Sequence, residues 1–185
     1  VAQAGEQDGF LINDGNANFQ WKWISEIIED FDSGYLYPNN KYGYYGFWSS
    51  EITDVDKDGY VDLILGGSYK DQDYDSSFWG PTVLWGDGSG KFYSKDSTIL
   101  FDYREIDYSQ NKIISLSHDY AVQDVDKDGF NDVVIFSECK GGGWLYSIVK
   151  GQQNRSFVDK TREWLPNPLK TETSNHVWVL MKDVD

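Results

Sequence analysis

Two stretches of this chain carry one pattern. Thr53-DVDKDGYVDLIL-Gly66 and Gln123-DVDKDGFNDVVI-Phe136 align without a gap, their first aspartates 70 positions apart. Such a repeat constrains the fold more tightly than composition does. A chain that repeats a supersecondary unit repeats its structure, and so small a unit cannot bury both faces of its sheet without neighbours. After each copy comes a hairpin signal ending in an aromatic: Leu84-WGDGSGK-Phe92 carries DGSG between strand-like flanks, and Val149-KGQQNRS-Phe157 is its weaker counterpart. A third such hairpin, Leu11-INDGNAN-Phe19, has no aspartate loop ahead of it. The last residues, Asp183-Val184-Asp185, repeat the opening of the loop, so a further copy is expected to continue and the chain to be a segment of a longer polypeptide.

One unit therefore reads as strand, aspartate loop, strand, strand, tight turn, strand. In the first copy the strands are expected at Phe47 to Ile52, Val61 to Leu65, Thr82 to Trp85 and Phe92 onward. In the second they are expected at Tyr120 to Val122, Val133 to Phe136, Trp144 to Val149 and Phe157 onward. Four short antiparallel strands repeating at about 60 to 70 residues suit the blade of a β-propeller, which closes with about 4 to 8 blades. The expected fold is thus all-β, a partial propeller. Residues 1–20 end a preceding blade, 47–95 and 117–160 form two complete blades, and 176–185 begin another, with connectors at 21–46, 96–116 and 161–175. The remaining blades of the same propeller are then the first partner of this chain. Within the connectors, Ile24, Ile27, Ile28 and Phe31 fall at helical spacing, compatible with a short helix or with a strand entering a turn. Thr161-REWLPNP-Leu169 reads as a brief helical turn ended by proline.

The loops themselves carry the chemistry. In DxDxDGxxD the acids fall at positions 1, 3, 5 and 9, and a chain curling about a central point turns them all inward. Hard oxygen donors in that number select calcium. The expected ligands are Asp54, Asp56, Asp58 and Asp62 with the carbonyl of Tyr60, and Asp124, Asp126, Asp128 and Asp132 with the carbonyl of Phe130. Gly59 and Gly129 supply the sharp turn. Asp183 and Asp185 open a truncated third site. An EF-hand begins the same way but needs a bidentate Glu at position 12 and flanking helices. Position 12 is Leu65 or Ile135 here, within runs suited to buried strands. Crowded carboxylates repel unless a divalent ion lies among them, so calcium is expected to act as a folding cofactor.

These residues, DVDKDGYVDLILGG and DVDKDGFNDVVIFSE with a D-G hairpin after the first, resemble the FG-GAP or VCBS repeats of integrin α-subunit propellers and of many secreted bacterial proteins. The resemblance spans essentially the whole chain. It implies a propeller with calcium in the loop joining the first two strands of each blade, and a role in adhesion or in protein or glycan recognition outside the cell. The Phe-Gly and Gly-Ala-Pro signatures of integrins are missing, Ser77-FWGP-Thr82 being a distant echo, so integrin-type partner binding is not carried over.

Charge and composition agree with this direction. Thirty-one acids against sixteen Lys and Arg give a formal charge of -15, which repels nucleic-acid backbones and anionic membranes. No stretch approaches the roughly 18 apolar residues of a membrane span. Aromatic residues, 17% of the chain, gather in Tyr35-LYPNNKYGYYGF-Trp48 and at Phe78 and Trp79. Tyr44, Tyr45, Trp48 and Trp79 are candidates to stack on sugar rings, packing between blades being the alternative account. His118 and His176 each precede an aspartate loop and read as core or rim residues. Asp71 and Asp75 read as a solvated loop, and the single Cys139 has no partner for an intrachain disulfide. Asn154-Arg155-Ser156 is a glycosylation acceptor if the source is eukaryotic. No catalytic constellation stands out. The chain reads as a binding module, the alternatives being a non-catalytic scaffold or substrate-binding propeller of a secreted polysaccharide-active enzyme, or a structural part of an extracellular assembly.

Overall fold

The computed structural model describes residues 9–13, 15–29, 47–67, 81–93, 95–100, 114–139, 143–166 and 169–170. They are mostly strand, in antiparallel sheets. The expected hairpin comes first, β1 (Gly9–Asn13) against β2 (Phe19–Trp23), with Leu11 opposite Trp21. The chain then makes one helical turn, α1 (Ile24–Ile27), whose free N-terminal end is tied by Glu26 accepting from the Trp23 amide at 2.8 Å. Strand and helix thus both occur in the first connector, one after the other.

The first sheet has the order β3 (Phe47–Thr53), β4 (Asp62–Gly67), β5 (Thr82–Leu84), β6 (Ser97–Ile99). The second orders β7 (Ile114–Gln123), β8 (Asp132–Cys139), β9 (Trp144–Gln152) and β10 (Ser156–Asp159), and a short β11 (Leu169–Lys170) joins β9 at its other end. A four-residue helix, α2 (Thr161–Trp164), follows β10 where a helical turn is expected, and the Thr161 hydroxyl accepts from the Ile148 amide at 3.0 Å. Both sheets therefore run strand, aspartate loop, strand, strand, strand in simple up-and-down order.

One expectation needs correction. The fourth strand of the first sheet is Ser97–Ile99, not the segment starting at Phe92, so this sheet runs past residue 95 to Ile99. Phe92 turns the other way. Its amide donates to the Ile27 carbonyl and its carbonyl accepts from Glu29, both at 2.9 Å, and its ring is buried with Ile24, Ile27 and Ile28. Burying an aromatic ring removes 150–250 Å² from water, which outweighs the local preference for a tight DGSG hairpin. The second sheet has the short turn: three residues, Gln153–Arg155, join β9 to β10, and Phe157 lies in the strand as expected.

The two sheets stack face to face. Side chains alternate across β4, so Leu63 and Leu65 pack with α1 and Phe92, while Ile64 joins Val83 and Trp85 in a cluster shared with Val133, Ile135 and Val149 of the second sheet. Leu63, Ile64 and Leu65 are all buried because β4 has packed layers on both sides. At the adjoining edge β3 lies along β7. There the Ser49 hydroxyl donates to the Ser117 carbonyl at 2.7 Å and lies 3.2 Å from the buried Tyr120 hydroxyl. Gly66 makes room for that ring, since a Cβ on it would lie 1.9 Å from the Tyr120 oxygen.

Gly66→Ala is therefore expected to cost about 1–3 kcal/mol in urea denaturation, the usual loss on overpacking. Tyr120→Phe, which removes the clashing oxygen, should recover part of it, so the double variant loses less than the sum of the single losses. Simple additivity would show that this contact does not set the spacing of the sheets.

Candidate metal centre

Each aspartate loop joins the first two strands of its sheet and is folded by its own side chains. In the first, Asp54 accepts from the amides of Asp58 and Gly59 at 3.1 and 2.9 Å. Asp56 accepts from Asp58 at 3.2 Å, and Asp58 from Tyr60 at 2.8 Å. The second repeats this bond for bond: Asp124 with Asp128 and Gly129 at 3.0 and 2.9 Å, Asp126 with Asp128 at 3.3 Å, Asp128 with Phe130 at 2.9 Å. Aspartate is suited to this because its short side chain closes turns with amides two residues on. The sixth position takes φ of +93° at Gly59 and +100° at Gly129, a region costly for any side chain. Lys57 and Lys127, at position four, share φ near +60°.

The outcome is two acidic trios. Asp54, Asp56 and Asp58 each bring one carboxylate oxygen to within 4.8 Å of the others, and so do Asp124, Asp126 and Asp128. Oxygens that ligate calcium lie about 2.3–2.6 Å from the ion, so two on opposite sides stand about 4.6–5.2 Å apart. The trios match that spacing and offer only hard oxygen donors, and these six residues could hold a metal.

The ninth-position acids do something else. Asp62 and Asp132 are wholly buried and stand apart from the trios. Asp62 accepts from Val55 at 2.7 Å with one oxygen and from Gly86 at 2.8 Å with the other. Asp132 takes Val125 at 2.8 Å and Gly151 at 3.0 Å. Each thus pins the start of its loop to the end of the third strand. Burial, then the nearby acids at positions three and five, push both carboxyls above the usual range, while the two amide bonds pull them down. Three acids of each loop thus cluster, while the fourth braces the backbone.

The brace depends on glycines that loop spacing alone does not reveal. A Cβ on Gly86 would lie 2.0 Å from the Val61 carbonyl, and one on Gly151 2.0 Å from that of Asn131. The signal was present in the sequence, since both glycines occupy the same place in the two hairpin segments. Tyr60 and Phe130, at position seven, expose their side chains and donate their amides to Asp58 and Asp128.

Cations of the chain reach each trio. Lys150 pairs with Asp126, and with Asp128 at 2.8 Å, and that bond holds the Asp128 carboxyl below its usual range. Arg155 pairs with Asp56 at 2.7 Å and with Asp58 at 3.0 Å. Lys57 crosses to the Gly129 carbonyl at 3.0 Å and to Asp124 at 3.4 Å, and the Asn131 amide donates to the Asp54 carbonyl at 3.1 Å.

The other residues singled out in the sequence divide by position. Tyr42, Tyr44, Tyr45, Phe78, Trp79, Asp71, Asp75, His176, Asp183 and Asp185 lie outside the described residues, as do the side chains of Trp48 in β3 and Cys139 in β8. His118 sits at the rim of the second sheet, 3.4 Å from Glu138 and edge-on to Trp144. Asn154 is exposed in the turn before β10. Among the described residues no helix is long and apolar enough to cross a membrane. Comparison with protein-family models, curated proteins and solved structures finds no match to this chain.

If Asp132 is a brace, Asp132→Ala strands the buried Gly151 amide and the part-buried Val125 amide at about 1–3 kcal/mol each, a loss of about 2–6 kcal/mol in chelator-treated protein. Asp126→Ala removes a surface ion pair and one exposed amide bond from Asp128, and should cost about 1 kcal/mol or less. Equal losses in urea denaturation would refute the division of roles.

Proposed function

We propose that this chain is part of a calcium-binding β-propeller, and that it serves outside the cell as a module for adhesion or for recognition of a protein or glycan. The observation that carries the reading is the recurrence of one acidic trio, with the same internal hydrogen bonds, at the same place in two consecutive stacked sheets. One acidic turn has many explanations. Two alike, each braced by a buried fourth aspartate, point to a common ligand.

Calcium fits better than its rivals. Zinc and copper prefer nitrogen or sulfur donors, of which the trios have none, and magnesium keeps most of its waters and demands near-octahedral geometry. The ion would be held by Asp54, Asp56 and Asp58, and by Asp124, Asp126 and Asp128, fixing the turn at one end of each sheet. It would supply two positive charges to three carboxylates and perform no reaction. Resemblance to FG-GAP and VCBS repeats supplies the propeller and the extracellular setting. The net charge of -15 agrees with a cation-binding role and disfavours nucleic acid. Recognition then falls to connecting segments between strands, where the aromatic residues Tyr44, Tyr45 and Trp79 are found.

Calcium at about a hundred times its dissociation constant should stabilise the fold by about 2.7 kcal/mol per site, raising Tm by several degrees, and EGTA should reverse the gain. A chain carrying both Asp54→Asn and Asp124→Asn should lose the response. A wild-type Tm indifferent to calcium and to chelation would end this reading.

A further inference from the structure

The two trios share their hydrogen bonds but draw their counter-charge from different places. At the second, Lys150 lies in the same sheet and directly precedes Gly151, the partner of the bracing Asp132. The corresponding residue before Gly86 is Trp85, which has no charge. The cation at the first trio comes instead from the neighbouring sheet: Arg155, in the turn between β9 and β10, reaches Asp56 and Asp58 with two donors.

Arg155 is held from several sides. Its guanidinium lies 4.8 Å from the centre of the Trp85 ring, which also stacks on Phe157 at 6.3 Å. Its carbonyl accepts from the Thr98 hydroxyl at 3.1 Å, and that hydroxyl accepts from the Trp85 indole at 3.0 Å. The backbone at Arg155 has φ +58°, following Asn154 at +64°. Left-handed geometry at a long side chain costs about 1–2 kcal/mol and persists where surrounding contacts impose it. Here those contacts all lie on the first sheet.

We propose that Arg155 is a latch that couples cation loading of the first loop to the docking of the two sheets, while the second loop, neutralised chiefly from within its own sheet by Lys150, is tied to that docking only through the longer Lys57 contact. This rests on reading the trios as cation sites. A divalent ion in the first trio shares Asp56 and Asp58 with the guanidinium, and the two cations repel. Loading therefore loosens Arg155, and Arg155 by the same amount weakens loading, since such coupling is reciprocal. Lys57 of the first sheet also reaches Asp124 of the second trio, but with one donor at 3.4 Å beside its 3.0 Å bond to the Gly129 carbonyl, whereas Arg155 places two donors on the first trio at 2.7 and 3.0 Å.

Calorimetric calcium titrations of single-site chains test this. Asp124→Asn leaves the first trio intact, and Asp54→Asn leaves the second. With only the first site, adding Arg155→Gln is expected to tighten calcium binding at least about fivefold, the effect of one charge about 4 Å away in a watery dielectric. With only the second site, Arg155→Gln should change nothing and Lys150→Gln should tighten binding. Hydrogen exchange gives a second readout that needs no change at 155: calcium should speed exchange across residues 153–156 in the Asp124→Asn chain and not in the Asp54→Asn chain. If neither single-site chain binds calcium, the cation reading fails and takes the latch with it. Binding at the first site that is indifferent to Arg155, or exchange that does not distinguish the two chains, overturns the latch alone.

Discussion

The structure turns on a buried carboxylate that accepts two backbone amides. Asp62 and Asp132 each catch the second residue of their loop with one oxygen and the end of the third strand with the other. This bond pair determines that the loop closes over its own sheet. It also brings the third strand to a backbone approach that only glycine permits, at Gly86 and Gly151. With the loop fixed at its second and ninth positions, the acids at one, three and five have little choice but to converge. The trio is a consequence of the brace, whose carboxyl is pushed up by burial and neighbouring acids and pulled back in part by its two amide bonds.

Stacking follows from the same repeat. The side chains of β4 point alternately to α1 with Phe92 and to the second sheet, so neither face of this strand is left to water. The second sheet presents Val133, Ile135 and Val149 to the first, and on its other face Phe136 stacks on Trp144 at 4.8 Å while Ile148 is bonded through its backbone to Thr161 of α2. Equivalent strand positions thus face the same way along the stack. That is the condition for adding units indefinitely or closing them into a ring.

How much of this was legible in the sequence depends on whether the cause was local. The loops, β4 and β8 were, because acids at alternate positions before a β-branched run leave few other conformations. The hairpin of β1 and β2 and the turn at α2 were equally local. The place of β6 was not: it was set by Phe92 joining Ile27 and Ile28, a contact across more than sixty residues that outweighs the hairpin signal beside it. Nor was the role of Asp62, since spacing says that a carboxylate turns inward but not that Gly86, far along the chain, will meet it. Arg155 escaped for the same reason, its partners lying in another sheet.

Charge balance differs between the two trios. Each gathers three carboxylates within the dimensions of one ion. Arg155 supplies one positive charge to the first trio, and Lys150 with the more distant Lys57 serves the second, through partly exposed contacts that are commonly worth no more than about 1 kcal/mol. A single ammonium or guanidinium also approaches from one side and reaches only the outward oxygens of positions three and five. It leaves the acid at position one to its amide bonds alone in the first loop. A divalent ion, which these donors could hold, would touch all three acids of a trio at once and bring twice the charge of either side-chain cation.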